Sequence, residues 1–105
     1  MEHNTTMERD LDCIMEHYSE ALEELMGAQA YAKKAYHAGT MEERTKYSQM
    51  SRQELAHTEE LKQMAMTRAR NEPMLMAMWN HLQDHIDSWR ENILEKLKKA
   101  EHKAM

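Results

Sequence analysis

The sequence predicts an all-α protein, and its composition is the first reason. The chain of 105 residues contains two Gly, one Pro and no Val, whereas Ala, Glu, Lys, Leu and Met are abundant. The abundant residues are good helix formers, and too few β-branched residues are present to form a sheet. Apolar residues also recur every three or four positions, which is the period of one face of an α-helix. We therefore expect a single helical domain over residues 1–105.

The first helix is expected over about residues 6–38. A hydroxyl group at Thr5 or Thr6 can cap its first turn, and Gly39 is expected to end it in a left-handed conformation. The residues predicted to face the core are Leu11, Ile14, Tyr18, Ala21, Leu22, Leu25, Ala28, Ala32 and Tyr36.

The second helix, expected over about residues 41–70, follows after a very short loop. Thr40 and Glu43 have the spacing of a capping box, so the first two helices are predicted to be antiparallel. The predicted core face of this helix consists of Tyr47, Met50, Glu54, His57, Leu61 and Met64.

The third helix is expected over about residues 73–103, with Pro73 at its first position. Its highly charged end is expected to fray. The predicted core face consists of Leu75, Trp79, Leu82, Ile86, Trp89, Ile93 and Leu97.

The lengths of these helices predict assembly. A helix of about 32 residues is about 48 Å long, whereas a compact domain of about 100 residues has a radius of gyration of about 13 Å. Three long apolar faces offer more surface than a thin bundle can bury. We therefore expect the third helix to extend or swap onto a partner chain, and oligomerisation to complete the bundle.

Charge and composition limit the function classes. The formal net charge is −5 with both signs well mixed, so nucleic acid is not the expected partner. No apolar run is long enough to span a membrane, and the first residues do not have the pattern of a signal peptide. Because Cys13 is the single cysteine, no internal disulfide can form. We expect a cytoplasmic protein.

Glu54 and His57 are the residues that most strongly indicate chemistry. They lie one turn apart in the middle of a face that is predicted to be buried. Burial of a carboxylate or an imidazolium is costly, so such groups are normally paired or bound to a metal. Glu-x-x-His on a bundle helix is the arrangement of di-iron carboxylate sites, which need four carboxylates and two His.

One chain supplies half of such a site. The sequence contains a single Glu-x-x-His, and the first helix can add one carboxylate, from Glu20, Glu23 or Glu24. Two chains related by a two-fold axis would complete the ligand set, each giving Glu, Glu and His.

The spacing of four residues resembles that of the encapsulated ferritins, half-length members of the ferritin-like superfamily. Glu24 stands thirty residues before Glu54, Tyr31 follows seven residues after Glu24, and His57 completes the motif. The resemblance covers roughly residues 14–70. It implies a ferritin-like antiparallel helical hairpin and a ferroxidase that oxidises Fe(II) to Fe(III) with O2. The di-iron site would be shared between two subunits, with two iron ions per dimer.

The resemblance also implies a role for each residue. Glu54 would bridge the two irons, His57 would be a terminal nitrogen ligand, and Glu24 a terminal or bridging carboxylate. Tyr31 would either donate a hydrogen bond to a ligand carboxylate or pack in the core. Glu23 would belong to an acidic path by which iron enters.

Two positions and the C-terminal residues depart from the family pattern. Ala30 stands where the family has Trp, and Met26 stands where it has a further acidic residue. An encapsulin shell is a possible partner that the resemblance raises, and it would place the protein in a protein compartment. The chain ends in Lys-Lys-Ala-Glu-His-Lys-Ala-Met, which does not resemble the apolar docking tail.

Two other functions remain open from the sequence. In one, the chain is a non-catalytic helical assembly module in which Glu54 and His57 form a structural pair. In the other, the twelve Met and seven His bind copper, because thioethers favour Cu(I). Met74, Met76 and Met78 alternate and cannot share one helix face, so most Met are expected to fill the core. His81 and His85, with Asp84 nearby, are expected to form a surface pair.

Overall fold

A computed structural model of the chain describes the backbone of residues 2–104 and the side chains of residues 6–104. Within this range the chain forms three α-helices, α1 (Glu2–Tyr36), α2 (Met41–Ala69) and α3 (Pro73–His102), and no strand. The all-α prediction is confirmed. None of the described helices combines the length and apolar character that crossing a membrane requires.

The three helices form a long, thin bundle. Both connections are short, so each helix runs antiparallel to the one before it. The bundle measures 62 × 17 × 14 Å, and its radius of gyration is 16.9 Å, compared with about 13 Å for a compact domain of this length. α3 packs against both other helices of its own chain. The core residues of α3 are therefore covered within one chain, and assembly stays a prediction.

At the turn between α1 and α2, the N-terminus of α2 is capped as predicted, whereas the C-terminus of α1 is not. Thr40 is the N-cap of α2, and its side chain accepts a hydrogen bond of 3.1 Å from the Glu43 backbone N–H. The left-handed conformation predicted for Gly39 is wrong, because no described glycine has a positive φ. The last turn of α1 instead closes with a bond from the Ala38 N–H to the Ala35 carbonyl. The chain then becomes extended at Thr40.

The N-terminus of α1 differs from the prediction, and the N-terminus of α3 agrees with it. α1 already includes Thr5 and Thr6, so neither residue stands at its N-cap. Nothing upstream of them breaks a helix, since Gly and Pro are absent there. Pro73 is the first residue of α3, as predicted, and the Glu72 side chain caps this end by accepting from the Met74 N–H at 3.5 Å.

The core is built largely from small and aliphatic residues. The helices approach closely where α1 presents alanines; for example, the Ser51 hydroxyl of α2 donates a buried hydrogen bond of 2.7 Å to the Ala28 carbonyl. The buried apolar residues are Ile14, Ala21, Leu25, Ala28, Ala32, Ala35, Leu55, Ala65, Ala69, Leu75, Trp79, Ile86, Ile93, Leu97 and Ala100. Of the predicted core residues on α1 and α3, Leu11, Tyr18, Leu22, Leu82 and Trp89 are half-buried and Tyr36 is exposed.

The prediction that methionine fills the core is wrong for the described residues. No described Met is buried, and Met7, Met66, Met76 and Met78 pack only against the margin of the core. The exposed ones are Met15, Met26, Met41, Met64 and Met74. A long thioether side chain does not fit between helices that approach over Ala and Ser, so Met lies outside that contact.

The predicted core face of α2 is displaced by one residue. The buried residues are Arg44, Ser48, Ser51, Leu55, Thr58, Ala65 and Ala69, whereas the predicted residues are half-buried or exposed. One residue corresponds to about 100° around the helix. Hydropathy does not identify this face because hydroxyl groups form much of it. Two of these hydroxyls donate to main-chain carbonyls, Ser51 to Ala28 and Thr58 to Glu54 at 3.0 Å, whereas the Ser48 hydroxyl has no partner among the described residues.

The charged end of α3 is docked onto α2 and does not fray. Arg52 makes a two-point ion pair with Glu101, at 3.1 Å through Nε and 2.7 Å through Nη2. The buried Arg44 donates to the Lys103 carbonyl at 2.5 Å. These contacts fix the side of α2 that α3 covers.

Candidate metal centre

The hairpin of α1 and α2 brings three predicted ligands together. Glu24 lies on α1, and Glu54 and His57 lie one turn apart on α2. Each side chain offers one ligand atom, and these atoms all lie within 4.8 Å of one another. In the described part of the chain this is the one group of three or more His, Cys, Asp or Glu residues with such spacing.

The Glu24 carboxylate has an unsatisfied oxygen in this cluster. Its Oε2 is buried and accepts no hydrogen bond from any described residue. The His57 Nδ1 lies 3.6 Å away, which is longer than a hydrogen bond. A buried oxygen without a donor costs free energy, and a cation at this point would remove that cost. The donor set, two carboxylates and an imidazole, therefore fits a divalent metal ion.

The cluster is open to solvent on one side. The His57 side chain is 58% exposed and that of Glu24 is 30% exposed, while Glu54 is half-buried. Ligand atoms of one chain therefore line only part of a coordination shell, and other groups can approach from outside.

A glycine on α1 shapes the floor of the cluster. A Cβ added at Gly27 would lie 3.6 Å from both Cδ and Oε2 of Glu54. The Glu54 carboxylate therefore lies directly against the backbone of α1. Sequence reasoning missed Gly27, although an isolated Gly inside a long helical pattern is a signal for close approach.

We expect Gly27→Ala to separate stability from metal binding. The substitution should stabilise α1 by up to about 1 kcal/mol, because Ala is a better helix former than Gly. The new methyl group would contact the Glu54 carboxylate and restrict its movement, so metal affinity should fall. Thermal melts and metal titrations of the variant test both effects. Gly39→Ala is the control, because a Cβ there meets no atom of the described residues within 4 Å. A higher melting temperature with unchanged metal affinity would show that the space at Gly27 is not used by the site.

The structure distinguishes between the three acidic candidates on α1. Glu24 is in the cluster, whereas Glu20 and Glu23 are exposed and outside it. Glu20 instead lies 3.7 Å from His17 Nδ1. The role of Glu23 in iron uptake stays a prediction.

Tyr31 packs on another aromatic ring. It stacks on Tyr47 of α2, with ring centroids 6.3 Å apart and an interplanar angle of 16°. The Lys34 ammonium lies 5.6 Å from each ring centroid. No described hydrogen bond joins the Tyr31 hydroxyl to a ligand carboxylate, so the geometry favours packing.

The cluster lies on the side of the hairpin opposite α3. α3 contacts α2 through Arg52, Glu59 and Lys62. His57 is two or five residues from each of these three, about 140–160° around the helix. We call this side the open face, and its residues are Glu24, Tyr31, Tyr47, Met50, Glu54, His57, Leu61 and Met64. It combines the candidate ligands with half-buried apolar residues, and Met64 is 50% exposed.

The remaining candidate ligands do not join the cluster. His81, Asp84 and His85 are all exposed on α3. Met74 is 67% exposed, whereas Met76 and Met78 are half-buried against the core. The described residues thus bring together one three-residue ligand group, on the open face.

Comparison with known proteins adds no further relationship. No model of a protein family, no curated protein and no solved structure matches the chain. The similarity to encapsulated ferritins stays a prediction from four spaced residues.

Proposed function

We propose that the chain binds iron and oxidises Fe(II) at a site that two copies of the chain complete. The observation that carries this proposal is the convergence of Glu24, Glu54 and His57 within 4.8 Å. Carboxylates and imidazole are suitable ligands for iron. The unsatisfied Oε2 of Glu24 supports a cation at this point.

The number of ligands supports a site shared by two chains. A di-iron site in a helical bundle uses four carboxylates and two His. One cluster supplies half of that set, namely two carboxylates and one imidazole. Because the ligands lie at the surface of the chain, a second copy can bring an identical set against them.

The open face supports the second copy as the partner. Tyr47, Met50 and Leu61 are only half-buried on it, beside the ligands. A two-fold axis through this face would cover these side chains in both copies and bring the two ligand clusters together. The long apolar faces that predict assembly would then be buried by the same contact that completes the site.

The side chains have distinct tasks in this proposal. Glu54 lies against Gly27 and would bridge two metal ions, while His57 would offer a neutral nitrogen and Glu24 an anionic oxygen. Bound iron would supply one-electron exchange with O2. The four carboxylates of the pair of chains would favour the higher charge of the oxidised ion. Metal binding requires deprotonated ligands, so affinity should fall at acid pH.

A non-catalytic role has one observation in its favour. The approach of His57 to Glu24 at 3.6 Å is also compatible with a structural ion pair when the imidazole is protonated. In that case the open face would still bind a second copy, but independently of metal. The two functions therefore differ in whether metal and assembly are coupled.

Sedimentation equilibrium with and without Fe(II), in the absence of O2, tests this coupling. We expect about two iron ions per dimer and a tighter dimer when iron is present, because the site exists only in the paired chains. Glu20→Ala is a matched control that should leave both quantities unchanged. A species of single-chain mass that persists at tens of micromolar with excess Fe(II) would contradict the proposal.

A further inference from the structure

A groove between α1 and α3 lies away from the open face. Its volume is about 440 Å³, within the usual range of small-molecule pockets. The lining residues are Gln29, Ala32, Lys33, Tyr36, His37, Lys96 and Lys99. Ala32 is buried beneath the groove, Tyr36 contributes an exposed aromatic ring, and the lysines surround it with positive charge.

The lysines of this groove outnumber the acids near them, of which Glu95 lies one turn before Lys99 on α3. No described ion pair involves Lys33, Lys96 or Lys99. The sequence from residue 25 to residue 41 contains no Asp or Glu. On α3, Glu101 is already paired with Arg52 of α2. This local excess of cations occurs in a chain whose formal net charge is −5.

The negative ends of the helix dipoles offset only part of the positive charge of the lysines. α1 and α3 both end near the groove, and each helix C-terminus carries about half a negative charge. Lys33 and Lys99 lie in these last turns. The Lys103 side chain caps the C-terminus of α1, because its Nζ donates a hydrogen bond of 3.1 Å to the Tyr36 carbonyl. Lys96 lies outside the last turn of α3, so the groove keeps a net positive charge.

We propose that this groove binds a small phosphate-bearing anion. A cleft lined by one sign of charge concentrates the opposite ion. Lysine ammonium groups on flexible stems bind phosphate as point charges. The exposed Tyr36 ring, whose centroid lies 4.1 Å from the Lys103 ammonium, provides the aromatic surface of the groove. This site is separate from the candidate metal centre, and the proposal does not depend on iron binding.

Calorimetric titration with pyrophosphate at constant ionic strength tests the proposal. The double variant Lys96→Gln/Lys99→Gln should lose at least about tenfold in affinity, because it removes two charge-assisted contacts. The control Lys46→Gln/Lys98→Gln removes the same charge from exposed lysines that do not line the groove. Equal losses in the two variants would show that pyrophosphate responds only to overall charge and would overturn the proposal, as would no binding to the unmodified chain.

Amide chemical shifts of the unmodified chain give a test without substitution. Pyrophosphate should perturb the amides of Lys33, Tyr36, Lys96 and Lys99 ahead of those of the α2 lysines, Lys46 and Lys62. Perturbations spread over all lysines, or centred on α2, would overturn the site even if the groove variants did not fold.

Discussion

Glu54→Ala is expected to lower the rate of Fe(II) oxidation by at least about 100-fold. Substitution of a residue that only hydrogen-bonds to a metal ligand lowers metal affinity or activity by about 10–100-fold. Glu54 would itself be a ligand, shared by both metal ions. His57→Ala should slow oxidation by at least about tenfold, because it removes a nitrogen ligand from each iron. Stopped-flow absorbance after mixing with O2 measures both rates. Both residues lie outside the buried face of α2, so helicity by circular dichroism should be unchanged.

Matched substitutions on α1 make this prediction specific. Glu24→Ala should slow oxidation, whereas Glu20→Ala and Glu23→Ala remove the same charge outside the cluster and should have little effect on the ligand set. If only Glu23→Ala slowed oxidation, the ligand role would pass from Glu24 to Glu23. Unchanged rates in Glu54→Ala and His57→Ala would remove the ferroxidase proposal and leave the pair as structure.

Trp79→Ala is expected to cost about 3–5 kcal/mol in the free energy of unfolding. The Trp79 side chain is 1% exposed in the core between α3 and the hairpin. Such a loss is a large fraction of the total stability of a small domain, which is about 5–15 kcal/mol. Urea denaturation followed by circular dichroism measures the change.

Two further tryptophan variants control for this interpretation. Trp89 is half-buried and donates its Nε1–H to Gln29, so Trp89→Ala should cost less than Trp79→Ala. Trp79→Phe should be tolerated better than Trp79→Ala, because it keeps an aromatic ring and removes a buried Nε1–H that has no partner among the described residues. If Trp79→Ala unfolded at the same urea concentration as the parent, α3 would not pack on the hairpin as described.

The sequence was informative about α3 and misleading about α2, and packing explains the difference. On α3 five of the seven predicted core residues are buried, Trp79 and Ile86 among them, and the other two are half-buried. On α2 the buried face carries hydroxyls, such as Ser51, whose polarity is cancelled by a bond to the backbone of α1. Hydropathy therefore selects the neighbouring face, the one with Tyr47 and Leu61. A face that is apolar yet only half-buried in one chain is consistent with contact to a second chain.

The candidate site could be predicted only in part for a related reason. The spacing of Glu54 and His57 follows from one helix and is visible in the sequence. The choice of Glu24 depends on how α1 and α2 are aligned, which is set by contacts such as that between Ser51 and Ala28. The close approach at Gly27 depends on the same alignment. Helical periodicity predicts neither the choice of Glu24 nor the close approach at Gly27. Glu24 is predicted only by the resemblance to encapsulated ferritins.

Anomalous scattering at the iron edge, from crystals of the iron-loaded protein, tests the central claim most directly. We predict two peaks between two copies of the chain, each within coordination distance of Glu24, Glu54 and His57 side chains. Peaks at His81 and His85, or at the methionines, would contradict the assignment of the site. No iron peak at the open face of a protein that contains two copies in contact would contradict the proposed function.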